Sequence, residues 1–484
     1  MQKLLKPLFL LSPLFLAACA VTAPSATTSQ MDAATATKWY SPLPVANAAK
    51  ADLPHQGSVT ALANWWQSLG DPVLVELITS AQAASPSVTA AASRIAQARS
   101  AVVNTGAASG PNLSATANAS RGINQLNTPL ASLGNVGLQA SWEIDLWGGN
   151  RAAQDAAQAR LAGSQAGWHE ARVSVAAEVA NTYLNLRTCE QLVNVAKDDV
   201  TSRTETSRLT GLLANAGFTA PANAALARAS NAQSQSMLTM QRTQCDMQVK
   251  ALVALTTFTE PEIRSKLTSN TVSASVFSAS TAINNVAIPA LPAQLLAQRP
   301  DVFAAQQEVA AASGDVGSAQ AAKYPRLGLN GSVGLQNIRS GGVSVNGATW
   351  SIGPVSLTVP ILDGGRSSAA VDLANANYEA AAANYKAKVR GAVREVEEAL
   401  LSVQSAADRL QDAAVATEGY SAAFIASEAR FKSGLGSLSD LEDTRRTALA
   451  AKTALLNLER ERSAAWVALY RAVGGGWSSS TKTM

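Results

Sequence analysis

The protein has 484 residues, of which 47% are hydrophobic and 15% charged, and its 38 basic and 34 acidic residues give a formal net charge of +4. This balance, with no basic cluster, argues against a nucleic-acid partner. With only two histidines, three cysteines at no zinc spacing and no phosphate-loop or nucleophile-elbow motif, we predict no enzyme, cofactor or metal site.

The first predicted element is an export signal over residues 1–18, with a basic start and a short apolar run. The run is too short to cross a bilayer, which needs about 20 residues. The sequence LAAC, which ends at Cys19, resembles the bacterial lipobox. There Cys19 would carry diacylglycerol and a further acyl chain such as palmitate, and several acyl chains anchor durably. The alternative is an ordinary signal with a chance cysteine, and Ala20 favours sorting to the outer membrane.

An internal duplication organises the rest of the chain. Residues 85–98 align with 299–312, and residues 216–228 align with 433–445, at a nearly constant separation. The similarity within each aligned pair is weak, but the pairs follow the same order in both halves. We therefore predict two tandem homologous halves of about 215 residues each.

Each half contains two short segments in which apolar and polar residues alternate with period two, which predicts strands. Ile352 falls on the opposite parity from its neighbours, so we expect a bulge near Gly353-Pro354. Strands of about ten residues with one apolar face suit a membrane β-barrel, the alternative being a soluble pair of hairpins. The predicted strands are 113–120, 136–146, 327–336 and 350–361.

Four strands are too few to enclose a lumen. Because open strand edges cannot face lipid, transmembrane strands would require several chains to share one barrel. The sequence alone does not determine whether two, three or four chains share one barrel.

Long alanine-rich segments without proline follow the strand pairs, and each predicts a helix of about 100 Å at about 1.5 Å per residue. Apolar residues recur every seven positions, as at Val389, Val396 and Val403, which is typical of a coiled-coil seam. Gly217 and Gly434 predict sharp turns into shorter return helices. The predicted helices are 79–107, 151–216, 221–256, 292–322, 366–433 and 438–473.

Several motifs resemble the TolC-like outer-membrane factors of tripartite efflux systems, the lipoprotein channels labelled the NodT family. They are NWWQSLGDPVL (64–74), RPDV (299–302), VPILDGGR (359–366), RFKSGLGSLSDLEDTRR (430–446) and LYRAVGGGW (469–477). The sequence departs from the family pattern at SPS (85–87), and Thr256-Thr257-Phe258 stands where the second half has a glycine run.

The resemblance implies a mixed, mainly α fold. Long antiparallel coiled-coil hairpins would form a helical barrel, and each protomer would add four strands to a shared transmembrane β-barrel. The implied assembly is a homotrimer with twelve strands and twelve helices. It would be lipid-anchored in the bacterial outer membrane, contact its lipid and extend into the periplasm.

The implied function is that of an exit duct, which passively conducts small molecules such as drugs. Its implied partners are a periplasmic adaptor protein and an inner-membrane pump of the RND type. Type I protein secretion uses the same architecture and is one alternative, and a non-porous lipoprotein scaffold is another.

On this basis the chain is divided into a signal peptide, an anchored segment that packs on the equatorial region of the helical barrel, two repeats and a tail. The predicted boundaries are 1–18, 19–78, 79–291, 292–477 and 478–484.

Two aspartates are the predicted pore gate. Asp440 and Asp443 lie three residues apart on the return helix and share one side of it. Asp443 matches a constriction carboxylate of the family, so symmetry copies would form a ring of like charge that sets cation preference. The alternative is an ordinary solvated helix start, where acidic side chains favour the positive end of the helix dipole.

Cys189 and Cys245 are equidistant from the turn at Gly217 and lie on opposite arms of one predicted hairpin. Both fall on seam positions. The periplasm is oxidising, so a disulfide is expected if their Cα atoms approach within about 7 Å. The alternative is two small buried thiols that fill close helix contacts.

Overall fold

The structure, a computed structural model, describes residues 40–41, 65–124, 127–269 and 299–477, so the predicted signal, Cys19 and the tail lie outside the described residues. The elements of the first half are α1 (Trp65–Ser68), α2 (Pro72–Ala84), α3 (Pro86–Ala107), β1 (Asn112–Asn124), β2 (Asn127–Ile144), α4 (Gly149–Asn215), α5 (Pro221–Leu255) and α6 (Glu260–Ser269). Those of the second half are α7 (Pro300–Ala321), β3 (Arg326–Ser340), β4 (Val343–Thr358), α8 (Arg366–Lys432) and α9 (Leu438–Ala472).

The two halves repeat one order of elements, which confirms the predicted duplication. In each half a helix leads into two paired strands, then a helix of 67 residues and a return helix of 35 residues. The ends of these four helices lie within about two residues of the predicted ends, which is the usual uncertainty of helix boundaries. Among the described residues, no helix is both long and apolar enough to span a membrane.

Glycine ends each long helix by adopting a left-handed conformation, with φ of 78° at Gly217 and 72° at Gly434. After α4, the N–H of Phe218 donates to the carbonyl of Leu213 at 2.8 Å, and the same contact recurs after α8. These bonds satisfy carbonyls that have no partner inside the helix. The predicted turns at both glycines are therefore confirmed.

The helix expected over 79–107 is two helices in the structure. Ser85 separates α2 from α3, and its ψ of 124° is extended rather than helical. Pro86 explains the break, because it has no N–H to donate and disfavours helical geometry at the preceding residue. The corresponding helix of the second half begins at Pro300, and residues 292–298 of its predicted span lie outside the described residues.

The four strands form one antiparallel sheet in the order β1-β2-β3-β4. The pairing of β3 with β4 shifts between Leu329 and Gly331, opposite the Gly353-Pro354 peptide, which confirms the predicted bulge. β4 ends at Thr358 rather than at the predicted residue 361. Pro360 lies between these two ends. It has no backbone N–H and therefore cannot donate a hydrogen bond to a neighbouring strand.

The strands are also longer than the predicted ten residues, with 13, 18, 15 and 16 residues in chain order. Between β3 and β4 the pairing continues to Ser340 and Val343, so the residues between the predicted strands 327–336 and 350–361 form strand and a two-residue turn. Gly341 and Gly342 form this turn with φ of 59° and 85°. Two residues with positive φ match the twist of a hairpin, which allows the strands to pair up to the turn.

The chain forms two compact units, and the first contains the sheet with residues 92–167 and 301–388. Close backbone approach holds α7 against α4 in this unit. A Cβ atom at Gly314 would lie 2.7 Å from the carbonyl oxygen of Ala152, so only glycine fits this contact. Arg160 of α4 also forms an ion pair with Asp315 of α7.

The second unit, which among the described residues comprises 40–41, 65–91, 168–269, 299–300 and 389–477, contains the main apolar core. Trp65 is buried and stacks on Tyr470 at 4.8 Å between ring centroids. Asp71 caps α2 by accepting from the N–H of Val73 at 3.0 Å, and its second oxygen accepts from the hydroxyl of Tyr183 at 2.6 Å. Burial and the Asp71 hydrogen bond both raise the pKa of Tyr183, so this hydroxyl stays protonated.

Candidate functional site

One face of the sheet is apolar and exposed, and we call it the apolar face. In the register of the sheet Val136 lies opposite Leu335, and Leu138 lies opposite Val333. The exposed fractions of Val136, Leu335 and Val333 are 64%, 68% and 55%. The apolar face consists of Leu113, Ala115, Ala117, Val136, Leu138, Ala140, Trp142, Ile144, Leu327, Leu329, Val333, Leu335, Trp350, Ile352, Val355 and Leu357. An exposed apolar surface that continues across four strands is a surface for lipid or another protein.

The opposite face, which we call the polar face, carries small polar side chains. Ser332 and Ser351 hydrogen-bond to each other across two strands at 2.8 Å. The polar face includes Ser114, Thr116, Asn118, Asn135, Gln139, Ser332, Gln336, Thr349 and Ser351. This division of polarity confirms the alternation predicted for these strands.

Aromatic side chains gather at the end of the sheet where the strands join the helices. Trp147 stacks on Tyr324 at 4.8 Å and donates its indole N–H to the carbonyl of Pro325 at 2.7 Å. Trp142 donates its indole N–H to the carbonyl of Ser109 at 3.0 Å. Aromatic rings with one polar end are typical of the edge of a membrane. The sequence prediction missed Trp147 and Tyr324, because they are far apart along the chain and only the fold brings their rings together.

The two predicted gate residues lie together at the start of α9. Ser437 caps this helix and accepts from the N–H of Asp440 at 3.0 Å. Asp440 and Asp443 are both exposed, and Asp443 pairs with Arg446 at 2.9 Å. Leu441 and Arg445 lie on the opposite, buried side of the helix. The structure therefore places both carboxylates on one solvent-facing side, near the turn at Gly434.

Arg445 is buried, with an exposed fraction of 2%, and it belongs to a polar network within the protomer. It donates to the hydroxyls of Ser202 at 3.0 Å and Thr206 at 2.8 Å on α4, and it forms an ion pair with Glu442. Burial lowers the pKa of Arg445 from its ordinary value, and Glu442 opposes that shift. The partners of Arg445 are therefore side chains of the same protomer.

The same network extends to two more helices. Glu442 also pairs with Arg203 and accepts from the hydroxyl of Ser230 on α5 at 2.9 Å. Ser202 donates to Glu428 of α8 at 2.8 Å. The polar contacts thus join α4, α5, α8 and α9 close to the two exposed aspartates. No local sequence signal marks this network, because its members lie on four helices that are far apart along the chain.

Cys189 and Cys245 lie side by side on α4 and α5, joined as a disulfide with a Cα–Cα distance of 5.5 Å. Cys189 is buried, and Gln241 donates its side-chain amide to the sulfur at 3.2 Å. The geometry is compatible with the predicted bond. Among the described residues no cluster of His, Cys, Asp or Glu could hold a metal ion.

These features define a class of protein. The sheet has one exposed apolar face and an aromatic border, and its strands continue into long alanine-rich helical hairpins. This is the fold of TolC-like outer-membrane channels.

Comparison with known proteins identifies the family. The model of the outer membrane efflux protein family matches residues 77–257 and again residues 291–475, so the chain belongs to this family. It is 30% identical to the pyoverdine export outer membrane protein OpmQ of Pseudomonas putida over 98% of each chain. It is 27% identical to the toluene efflux pump outer membrane protein TtgI of Pseudomonas putida over 71% of this chain and 72% of that one. The solved structure of the outer-membrane channel OprN superposes with a TM-score of 0.76 at 25% identity, covering 92% of this chain and 98% of that one.

We predict that Arg445→Met weakens the packing of α9 on α4, whereas Arg446→Met does not. Loss of Arg445 leaves Ser202 and Thr206 without its hydrogen bonds and removes one partner of a buried charge, which costs about 3 kcal/mol. Amide hydrogen exchange in residues 202–206 and 441–448 should accelerate by about a hundredfold. Arg446 is 78% exposed and serves as the control. Equal exchange in the two variants would contradict a role for the network.

We also predict that protein purified from isolated membranes contains the Cys189–Cys245 bond. Its intact mass should be two hydrogens lower than that of the reduced protein. Because 56 residues separate the cysteines, reduction should lower the free energy of unfolding by about 4 kcal/mol. The variant Cys189→Ser with Cys245→Ser is the control, and reductant should leave its thermal midpoint unchanged. Two free thiols in the unreduced protein would contradict the prediction.

Proposed function

We propose that this protein is the outer-membrane exit duct of a tripartite efflux system. It would passively conduct small molecules that an inner-membrane pump delivers through a periplasmic adaptor. The observation that carries the proposal is the sheet, with an apolar face suited to lipid and a polar face suited to a water-filled lumen. Membership of the outer membrane efflux protein family supports it.

The proposed conduit requires self-association. β1 and β4 are the two edges of the sheet, and an edge strand has backbone groups without partners. In hydrocarbon these groups must be satisfied by another strand, so β1 of one copy would pair with β4 of the next. Three copies would supply twelve strands and close the barrel, as the family resemblance implies.

Asp440 and Asp443 are the proposed gate of this duct. Both carboxylates are exposed at the start of α9 and would repeat by symmetry around the axis. Like charges in a ring favour cations over anions. The network around Arg445 would hold the helix that carries them, and opening would require its hydrogen bonds to be exchanged. The alternative remains a solvated helix start, where acidic side chains are favourable in any protein.

We further propose that Cys19 carries the lipid anchor, which places the protein in the outer membrane with its helices in the periplasm. The LAAC sequence that ends at Cys19 motivates this assignment. Radiolabelled palmitate should enter the wild-type protein and not Cys19→Ser, and equal labelling would refute the assignment.

The alternative functions are type I protein secretion and a non-porous scaffold. The names of the relatives OpmQ and TtgI refer to export of pyoverdine and efflux of toluene, which are small molecules. This favours small-molecule efflux over protein secretion. A scaffold would have no use for the apolar face of the sheet, because a spacer tethered by lipid does not insert strands into the bilayer.

A deletion strain and its complemented partner test the function. We expect the deletion to increase susceptibility to apolar drugs and solvents, with wild-type levels restored by the intact gene and not by an empty vector. The set of secreted proteins should stay the same. Loss of a secreted protein with unchanged drug susceptibility would support type I secretion, and absence of conductance by the purified protein in planar bilayers would support a scaffold.

The gate proposal predicts a change in ion selectivity. Asp443→Asn removes one carboxylate from each copy, so the cation-to-anion permeability ratio in planar bilayers should fall by about twofold. The control is Asp198→Asn, whose carboxylate is 77% exposed and belongs to α4 rather than α9. Unchanged conductance and selectivity in Asp443→Asn would refute the assignment of the gate.

A further inference from the structure

The apolar face of the sheet carries two positive charges and no negative charge. The four strands, as the structure describes them, contain four charged residues. Arg121 and Arg339 each lie an even number of residues from apolar members of their own strand, which places them on the apolar face. Glu143 and Arg326 lie on the polar face, near the end that joins the helices. The charge of the apolar face therefore favours an anionic partner.

The two arginines are close enough to bind one group between them. Ser132 separates them, because it pairs with Arg121 on one side and with Arg339 on the other. Two strand spacings of about 4.8 Å put the Cα atoms of the arginines about 10 Å apart, a gap that two side chains of this length close. Both arginines are exposed, and neither forms an ion pair within the described part of the chain. Their charges are available to a partner outside the protomer.

Neutral hydrogen-bonding groups surround the two arginines. Ser344 pairs with Arg339 in the register of β3 and β4, and Asn337 donates its side-chain amide to the hydroxyl of Ser344 at 3.1 Å. Asn337 also donates to Asn346. Hydroxyl and amide groups bind phosphate oxygens and sugar hydroxyls, whereas acyl chains offer them no partner. We call this set the arginine patch, and it consists of Arg121, Ser132, Asn337, Arg339, Ser344 and Asn346.

The arginine patch lies at the edge of the apolar band that is nearer to the hairpin turns. From Trp142 in the aromatic border to Ser132, the strand advances about 33 Å at about 3.3 Å per residue. With a tilt of about 40° this is about 25 Å along the membrane normal, which equals the height of the apolar band in outer-membrane barrels. Ile123 and Leu130 are exposed still closer to the β1–β2 turn, beyond this band. Arginine is unfavourable in the middle of a bilayer and tolerated at its edge, so the patch faces lipid headgroups rather than acyl chains.

We propose that Arg121 and Arg339 bind a phosphate group of a glycolipid in the outer leaflet of the outer membrane. The proposal rests on the proposed function, because that function puts the helices in the periplasm and the hairpin turns on the outer side. Guanidinium groups bind phosphate through pairs of parallel N–H···O bonds. The sugar hydroxyls of a glycolipid would also find partners in Ser132, Asn337 and Ser344, which a simple glycerophospholipid would leave unused.

The site would repeat around the proposed barrel. β1 and β3 each carry one arginine, and β1 of the next copy would follow β4. Every second strand would therefore present an arginine to the outer leaflet. Bound glycolipids would form an ordered layer around the barrel and fix its depth in the membrane.

Titration of the purified oligomer with bisphosphorylated lipid A, followed by native mass spectrometry, tests the site. Each arginine near an anionic lipid surface contributes about fivefold to binding, so Arg121→Gln with Arg339→Gln should weaken binding about thirtyfold. Lysine at both positions keeps the charge but loses the paired hydrogen bonds, so its affinity should lie between the two. The matched control is Arg326→Gln, an exposed arginine of the same strand on the polar face, which should bind as the wild type does.

A second comparison uses the wild-type protein alone, so it remains decisive even if the substitutions disturb assembly. Lipid A from which both phosphates have been removed should bind about thirtyfold more weakly than the intact lipid. Equal binding of the two lipids, or equal binding by the wild type and the double glutamine variant, overturns the site. Phosphatidylglycerol that binds as tightly as lipid A overturns the glycolipid as the occupant.

Conductance of the same preparations in planar bilayers separates failure of the site from failure of the proposed function. A wild-type protein that conducts ions but does not distinguish the two forms of lipid A overturns the site and leaves the exit duct intact. A wild-type oligomer that does not conduct overturns the exit duct, and with it the orientation in the membrane on which the site depends.

Discussion

The unpaired backbone groups at the two edges of the sheet are the constraint on which the rest of this molecule depends. Water satisfies such groups in solution, but hydrocarbon leaves each one without a partner at a cost of several kcal/mol. β1 and β4 are edges, yet the apolar face reaches both of them. A chain of this kind is stable in a bilayer only when another copy completes its sheet, and a lumen then follows from closure.

The long helices must pack closely against each other, and they do so with few large side chains. Their apolar seam positions include Val179, Leu186, Val396 and Val403, all of which are buried. Near the turns the buried contacts become polar, since Arg445 is buried against Ser202 and Thr206. A buried ion pair adds little net stability compared with an apolar contact, but removing one member is costly. We infer that the network around Arg445 specifies which helix faces meet, and that the apolar core near Trp65 provides most of the stability.

Local patterns predicted much of this fold. Period-two alternation located all four strands, and the glycines at 217 and 434 located both helix ends, because each depends on neighbouring residues alone. The strand ends were less predictable. Residues 127–135 belong to β2 although the alternation of 136–146 does not continue through them, because Leu133 lies three residues from Val136 and so falls on the other face. The burial of Arg445 was not predictable, because its partners Ser202 and Thr206 lie more than 230 residues away along the chain.

The duplication makes the two halves equal in element length but not in charge. The first-half positions that align with Asp440, Glu442 and Asp443 are Asn223, Ala225 and Leu226. Arg228 aligns with the buried Arg445 but is exposed, and Ala225 stands at the position of the Glu442 that pairs with Arg445. Leu226 is 52% exposed where its counterpart Asp443 is a carboxylate. The first hairpin therefore presents a neutral turn and the second a charged one, although their backbones match. At these aligned positions the carboxylates belong to the second hairpin alone, so we expect a response of the helix ends to cations in α8 and α9 rather than in α4 and α5.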